Sequence, residues 1–182
     1  MIYFQEDCFK EESLIEICTF PQIQINKLFL EMAKQKKKVF FMDTIGNIDL
    51  LIKHQNRNKE YECFRIFSIS DFYDVCSILQ SETGFYLFID SITFVIEWNK
   101  YSIKPGEENH PKKIYNKLWD LIYSNNATII VTNHYRPKLE NGNKVYVPRL
   151  GNCFFRIISY RVLLKNNDNE IEYKVIVNDL NG

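Results

Sequence analysis

Phe85, Tyr86, Leu87, Phe88 and Ile89 run without a polar break into Asp90 and Ser91. An apolar run without alternation is what a strand covered on both faces requires, as in the interior of a parallel sheet. A buried helix segment reads the same over so few residues. The preceding Gly84 and the aromatic enrichment favour a strand. The stretch is therefore expected to be the central strand of the fold. Asp90 then stands at its carboxyl end, the edge where open α/β sheets place their ligands. A carboxylate there can hold a divalent cation, or it can simply end the strand and cap the next element.

The remaining elements fall around this strand. Leu14 to Thr19 reads as a first strand, and Val39 to Asp43 as a second, again ending in an aspartate followed by Thr44, Ile45 and Gly46. Between them Ile25, Leu28, Phe29, Met32 and Ala33 follow helical spacing, with Lys36, Lys37 and Lys38 closing the helix favourably for its dipole. Ile48, Leu51 and Ile52 suggest a short helix, and the polar run 53–60 a surface connection. Cys63 to Phe67 makes a third strand, and Ser70 can cap a helix whose inner face is Phe72, Val75, Cys76 and Leu79.

Beyond the central strand, Tyr101 to Pro111 is a loop, and Ile114, Leu118, Leu121 and Ile122 mark another helix. Ala127 to Thr132 is a fifth strand ending in Asn133 and His134, and a polar loop then runs to Gly151. Ser159 to Lys165 and Ile171 to Val177 read as a terminal β-hairpin. Strands alternating with helices predict a single α/β domain over residues 1–182, with a mostly parallel central sheet and a C-terminal β-hairpin.

Charge and cysteine usage narrow the function. Lys plus Arg and Asp plus Glu balance at 23 each, so no global field draws the chain to nucleic acid or membrane, and any such binding needs a local patch. The five cysteines, Cys8, Cys18, Cys63, Cys76 and Cys153, show no metal-ligand spacing and read as reduced core thiols. Charges in Met1 to Glu12 argue against a secretory leader, and the longest apolar stretch is too short to span a bilayer. His54 and His110 lie in polar runs, and no metal or cofactor is expected.

The order of these pieces resembles the ATPase core of the RecA-type recombinases. Asp43-Thr44-Ile45-Gly46, Asp90-Ser91 and Thr132-Asn133 stand where that family has an Asp-Thr-Glu-Gly strand end, a magnesium aspartate with Ser, and a Thr-Asn strand end. The chain is most similar to the eukaryotic paralogs of the strand-exchange recombinase, in particular the D-type paralog. The similarity covers roughly residues 14–165 and rests on several stretches. These are Phe64-Arg65-Ile66-Phe67, Val131-Thr132-Asn133-His134, Pro148-Arg149-Leu150-Gly151, Phe154-Phe155 and Arg161-Val162-Leu163-Leu164. The resemblance implies a RecA-like three-layer core.

Two departures from that pattern imply a degenerate nucleotide site. The family's glycine-rich phosphate loop would lie at residues 19–26, where this chain has no glycine. Gln22 falls within the loop, Ile25 replaces the phosphate-binding lysine, and Asn26 replaces the magnesium-binding hydroxyl residue. Ile45 stands where the carboxylate that activates water would be, a loss of about 10² to 10⁴ in rate. Asp90 keeps its place without its usual task. The expectation is a chain that is not an enzyme and binds no nucleotide tightly.

The segment from His134 to Gly151 carries Arg136, Lys138, Lys144 and Arg149 against Glu140, with Tyr135 and Tyr146 interleaved. That is the composition of a single-stranded nucleic-acid grip, and equally of a solvated loop. It occupies the position of the family's DNA-facing loop. The resemblance implies an accessory subunit in homologous-recombination repair in the nucleus. Such a subunit pairs with another RecA-like paralog and works with the recombinase, and with a SWIM-type zinc protein as in Shu-like complexes. A RecA-fold structural subunit of an Elongator-like tRNA-modification complex is the alternative.

Overall fold

A computed structural model of the chain describes residues 9–20, 23, 25–34, 36, 38–46, 48, 51–52, 61–101, 111–167 and 170–178. The polar connection 53–60, most of the 101–111 loop, Gln22, Lys37, Cys8, His54 and His110 lie outside them. Eight strands form the sheet: β1 (Leu14–Thr19), β2 (Val39–Asp43), β3 (Glu62–Arg65), β4 (Tyr86–Asp90), β5 (Thr128–Glu140), β6 (Asn143–Pro148), β7 (Tyr160–Asn167) and β8 (Glu170–Val177). The helices with described bounds are α1 (Ile25–Ala33), α2 (Ile69–Leu79), α3 (Ile92–Tyr101), α4 (Pro111–Asn125) and α5 (Gly151–Phe155). Among the described residues no helix is long and apolar enough to cross a membrane.

The sheet runs β3-β2-β4-β5-β1-β7-β8, with β6 paired to the outer half of β5. Every neighbour from β3 to β7 is parallel; only β5 with β6 and β7 with β8 are antiparallel. The protein is thus α/β with a mostly parallel central sheet and a C-terminal β-hairpin. Residues 86–89 of the apolar run belong to the interior strand β4, held between β2 and β5.

Strand alternation divides the core into two layers. Phe40, Met42, Leu87, Ile89, Ile129 and Val131 face one side, where α2, α3, α4 and α5 cover them. Val39, Phe41, Phe88 and Ile130 face the other, against Leu28, Phe29 and Leu30 of α1 and against Ile48. Phe88 meets Phe29 at 4.9 Å and Phe41 at 5.2 Å between ring centroids. Both faces of β2, β4 and β5 are therefore dry, which is why their sequences show no alternation.

Several boundaries differ from those expected. The cap of α2 is Ser68, two residues before Ser70. Its Oγ accepts from Asp71 N at 3.2 Å while Asp71 Oδ2 accepts from Phe67 N at 2.9 Å, a reciprocal pair that Ser70 cannot make. The third strand is shorter than Cys63 to Phe67 and lies at the sheet edge, with β2 its only partner among the described residues. Helix α1 ends at Ala33, before the lysines. Lys36 lies over the Tyr86 ring at 4.7 Å, and Lys38 pairs with Glu82, both at the amino edge of the sheet. Cys153 is exposed rather than a core thiol. Helix α3 has no counterpart among the expected elements, because Ile92, Val95 and Ile96 continue an apolar run whose helical period is hidden by its neighbours.

The largest correction concerns residues 134–151. The polar loop expected there is a β-hairpin, in which β5 leaves the sheet and pairs with β6 from Tyr135↔Pro148 to Glu140↔Asn143. Asn141 and Gly142 make the two-residue turn, both with positive φ, as a twisted ribbon demands. Its polar composition reflects a ribbon with two solvated faces.

A cleft at the carboxyl edge of the sheet

Parallel strands end on the same side, so β1, β2, β4 and β5 bring Thr19, Asp43, Asp90 and His134 to one edge of the sheet. A cleft of about 740 Å³ opens there. The first turn of α1 (Ile25, Asn26, Lys27), Ile45, Asp90 and Phe94 line it, together with His134, Tyr135 and Arg149. Its size is within the range of about 300 to 1,000 Å³ typical of ligand sites.

The two strand-end aspartates are direct neighbours in register, Asp43 beside Asp90, and the fold treats them differently. Asp43 is fully buried and spends both oxygens on backbone amides. Oδ1 accepts from Ile45 N at 3.0 Å and Gly46 N at 2.6 Å, and Oδ2 from Ile48 N at 2.9 Å. It is a capping group for the turn that begins the helical residues 48, 51 and 52. Gly46, with φ +95°, permits that turn, and a Cβ there would meet the Arg65 guanidinium at 2.5 Å.

Asp90 is buried too, but its side chain takes only one hydrogen bond among the described residues, from Thr132 Oγ1 at 2.7 Å. Thr44 binds its backbone instead: the Thr44 amide and hydroxyl donate to the Asp90 carbonyl at 2.7 and 2.9 Å, and Ser91 N donates to Thr44 Oγ1 at 2.8 Å. Burial pushes the Asp90 carboxyl up to about 6; the Thr132 hydroxyl opposes this and the Asp43 charge adds to it.

That shift has a measurable consequence. Between its ordinary 3.8 and about 6 the folded chain holds a proton at Asp90 that the unfolded chain releases. The stability from this site is complete below 3.8 and is lost as pH rises through about 6. Asp90→Asn keeps an acceptor for Thr132 and removes the charge. It is expected to stabilise the fold by about 3 kcal/mol at pH 7.5, an effect that shrinks to near zero below pH 4. Urea unfolding of both proteins across this range checks it, and a constant difference would contradict the assignment. His134 contributes to both proteins alike. Burial lowers its pKa, with Arg149 adding to this and Glu97 opposing.

Of the five positions named for a degenerate nucleotide site, Ile25, Asn26, Ile45 and Asp90 line this one cleft, and Gln22 lies outside the described residues. Ile25 is buried, Ile45 is 42% exposed at the rim, and Asn26 is buried with no donor to its Oδ1 among the described residues.

The four cationic residues named for DNA contact do not converge. Arg136 and Lys138 share one face of the β5–β6 ribbon with Val147 and Val145. Lys144, opposite Leu139, lies on the other face, with its ammonium 5.4 Å from the Tyr146 ring. Lys138 pairs with Glu140 at 2.7 Å, and Arg149, at the base of the ribbon, pairs with Glu97 at 2.5 Å. Phe20 packs on Tyr135 at 4.5 Å and on Tyr146 at 5.2 Å, tying the ribbon to the segment that follows β1.

Sequence reasoning did not associate Lys27, Phe94, His134, Tyr135 and Arg149 with Asp90. They arrive from α1, α3, β5 and the end of the hairpin, and only strand order puts them together. Among the described residues no group of three His, Cys, Asp or Glu side chains is placed to hold a metal ion. No known protein-family model matches the chain, and no curated protein sequence is similar to it.

Proposed function

We propose that this chain is a non-catalytic paralog of the RecA-type recombinases, an accessory subunit that assists recombinase filament assembly in homologous-recombination repair. It pairs with a second RecA-like subunit and contacts single-stranded DNA through the β5–β6 ribbon. The observation that carries this reading is the cleft. Ile25, Asn26, Ile45 and Asp90, the residues aligned with the family's nucleotide machinery, border a single cavity at the carboxyl edge. Three of them have the wrong chemistry for a triphosphate. A branched apolar side chain offers no charge to the β- and γ-phosphates, and Ile45 cannot orient water. The parallel order from β3 through β7 is compatible with a RecA-like core.

The test has two parts. Titration with a fluorescent ATP analogue is expected to show no micromolar binding and no hydrolysis. Micromolar affinity would end the reading. Single-stranded DNA is expected to bind in preference to tRNA. Changing Arg136, Lys138, Lys144 and Arg149 together to Ala should weaken that binding and reduce its dependence on salt, by about 0.7 in log–log slope for each phosphate no longer neutralised. Because the ribbon separates Arg136 and Lys138 from Lys144, pairwise variants report which face carries the DNA. Unchanged binding by the fourfold variant would remove the ribbon from the proposal.

A further inference from the structure

Strand β8 ends the sheet, and among the described residues β7 is its only neighbour. The Asn178 N–H donates to the Ser159 carbonyl at 2.9 Å, so antiparallel alternation turns the backbone groups of Ile176, Lys174 and Glu172 toward β7. Those of the residues between them point away from the sheet. An edge of this kind is a template for another strand, and proteins that keep it single blunt it with a proline, a bulge or a charge. Residues 170–177 contain no proline, and the register with β7 is unbroken over all of them. What remains is Lys174 near the middle of the strand, with Glu172 two residues before it. Both side chains are exposed, and neither has an ion pair among the described residues.

These charges select a partner. A second copy added antiparallel to the same strand is related by a two-fold axis, so one residue faces its own copy and the pairs on either side repeat. Centred on Glu172 or Lys174, such a pairing opposes like charges, and centred on Val175 it sets Lys174 against Ile176. Centred on Tyr173, it sets Glu172 against Lys174 twice, once on each side of the axis. In that register both residues fall at non-hydrogen-bonded positions of the new ladder, where facing side chains are closest. On the other face of β8, Tyr173 and Val177 are 40% and 60% exposed, and a second sheet would continue that apolar row. The pairing uses the backbone at Tyr173 and asks nothing of its ring.

We infer that β8 pairs with β8 of a second copy of this chain, antiparallel and centred on Tyr173, joining two sheets into one. The lysine that would otherwise keep the edge single becomes half of a reciprocal ion pair. Strand β8 has 8 residues, well below the about 20–30 a side of a standard interface, so the dimer is expected to dissociate in the micromolar range. No residue lining the carboxyl-edge cleft lies on β8, so this association goes beyond the accessory-subunit reading and does not depend on it.

Sedimentation equilibrium of the full chain, from about 1 to about 200 μM, tests the inference and is expected to show a monomer–dimer equilibrium. Glu172→Lys and Lys174→Glu each turn two attractive pairs into two repulsive ones, and each should raise the dissociation constant at least about tenfold. Both positions are exposed, so the two variants should melt as the wild type does. An equimolar mixture of them should dimerise again, because the lysines of one chain then face the glutamates of the other at both pairs. The double variant Glu172→Lys with Lys174→Glu restores opposite charges within one chain and should recover the wild-type constant. A wild-type chain that stays monomeric throughout overturns the inference. So does a dimer that survives either single variant, or a mixture that fails to associate.

Discussion

Replacing Arg161 with Met is expected to lower the unfolding free energy by about 3–5 kcal/mol, because it leaves a carboxylate charged and uncompensated in the core. Glu16 is fully buried on β1, and Arg161 is its direct neighbour on β7, with the Arg161 Nε–H donating to Glu16 Oε2. Asn133 Nδ2 donates to the other oxygen at 2.6 Å, and Thr93 Oγ1 donates to Asn133 Oδ1 at 3.2 Å. The guanidinium also donates to the Gly151 carbonyl at 3.3 Å and lies 4.5 Å from the Phe155 ring. One ion pair thus joins β1, β5, β7, α3 and α5 behind the cleft. For a chain of this length the loss corresponds to a fall of roughly 10 °C in Tm. The double variant Glu16→Gln with Arg161→Met is expected to recover most of it, since Gln retains an acceptor for Asn133 without a charge. Urea unfolding of the two single variants and the double gives the coupling directly. A cost below about 1 kcal/mol for Arg161→Met would mean that water reaches Glu16.

Asp43→Ala is expected to be the second most damaging change, costing about 2–4 kcal/mol through three amides deprived of one acceptor group. Ile48 N is buried outright, whereas Ile45 N and Gly46 N are partly buried and can recruit water. Asp43→Asn keeps one oxygen and should fall between wild type and Ala. The effect is also local. Amide hydrogen exchange at Ile45, Gly46 and Ile48 should accelerate, loosening the wall that carries Ile45 and Leu51. Removing the Asp43 charge takes away a repulsion from Asp90, so the Asp90 carboxyl should titrate closer to its ordinary 3.8, which carbon-detected NMR can follow. Equal stability of the Asn, Ala and wild-type proteins would show that this carboxylate is not the cap.

These two acidic residues illustrate what can be read from a chain before its fold is known. Asp43 and Asp90 are visible in the sequence because each ends a continuous apolar run, and such runs end at the sheet edge. Nothing local says that one will be saturated by amides and the other left short of donors. That difference comes from β2 and β4 lying side by side with the aspartates level, a pairing between residues 47 apart in sequence that only packing selects. Glu16 is less legible still. A glutamate within Leu-Ile-Glu-Ile-Cys-Thr suggests a polar face on the strand, yet every residue of β1 is buried. Its partner lies on β7, far along the chain, and the two strands meet only because the crossover connections return there.

Local chemistry determined the helices α1, α2 and α4, the interior strands, the terminal hairpin and the carboxyl-edge position of Asp90, because period, apolar run length and turn residues act over a few neighbours. Tertiary structure alone decided the strand order, the ribbon at residues 135–148, the separation of its cations onto two faces, and the meeting of Ile25, Asn26, Ile45 and Asp90 around one cleft. Those features depend on contacts between segments far apart in sequence. Burial of the whole sheet sets such contacts, and no short window of residues contains that information.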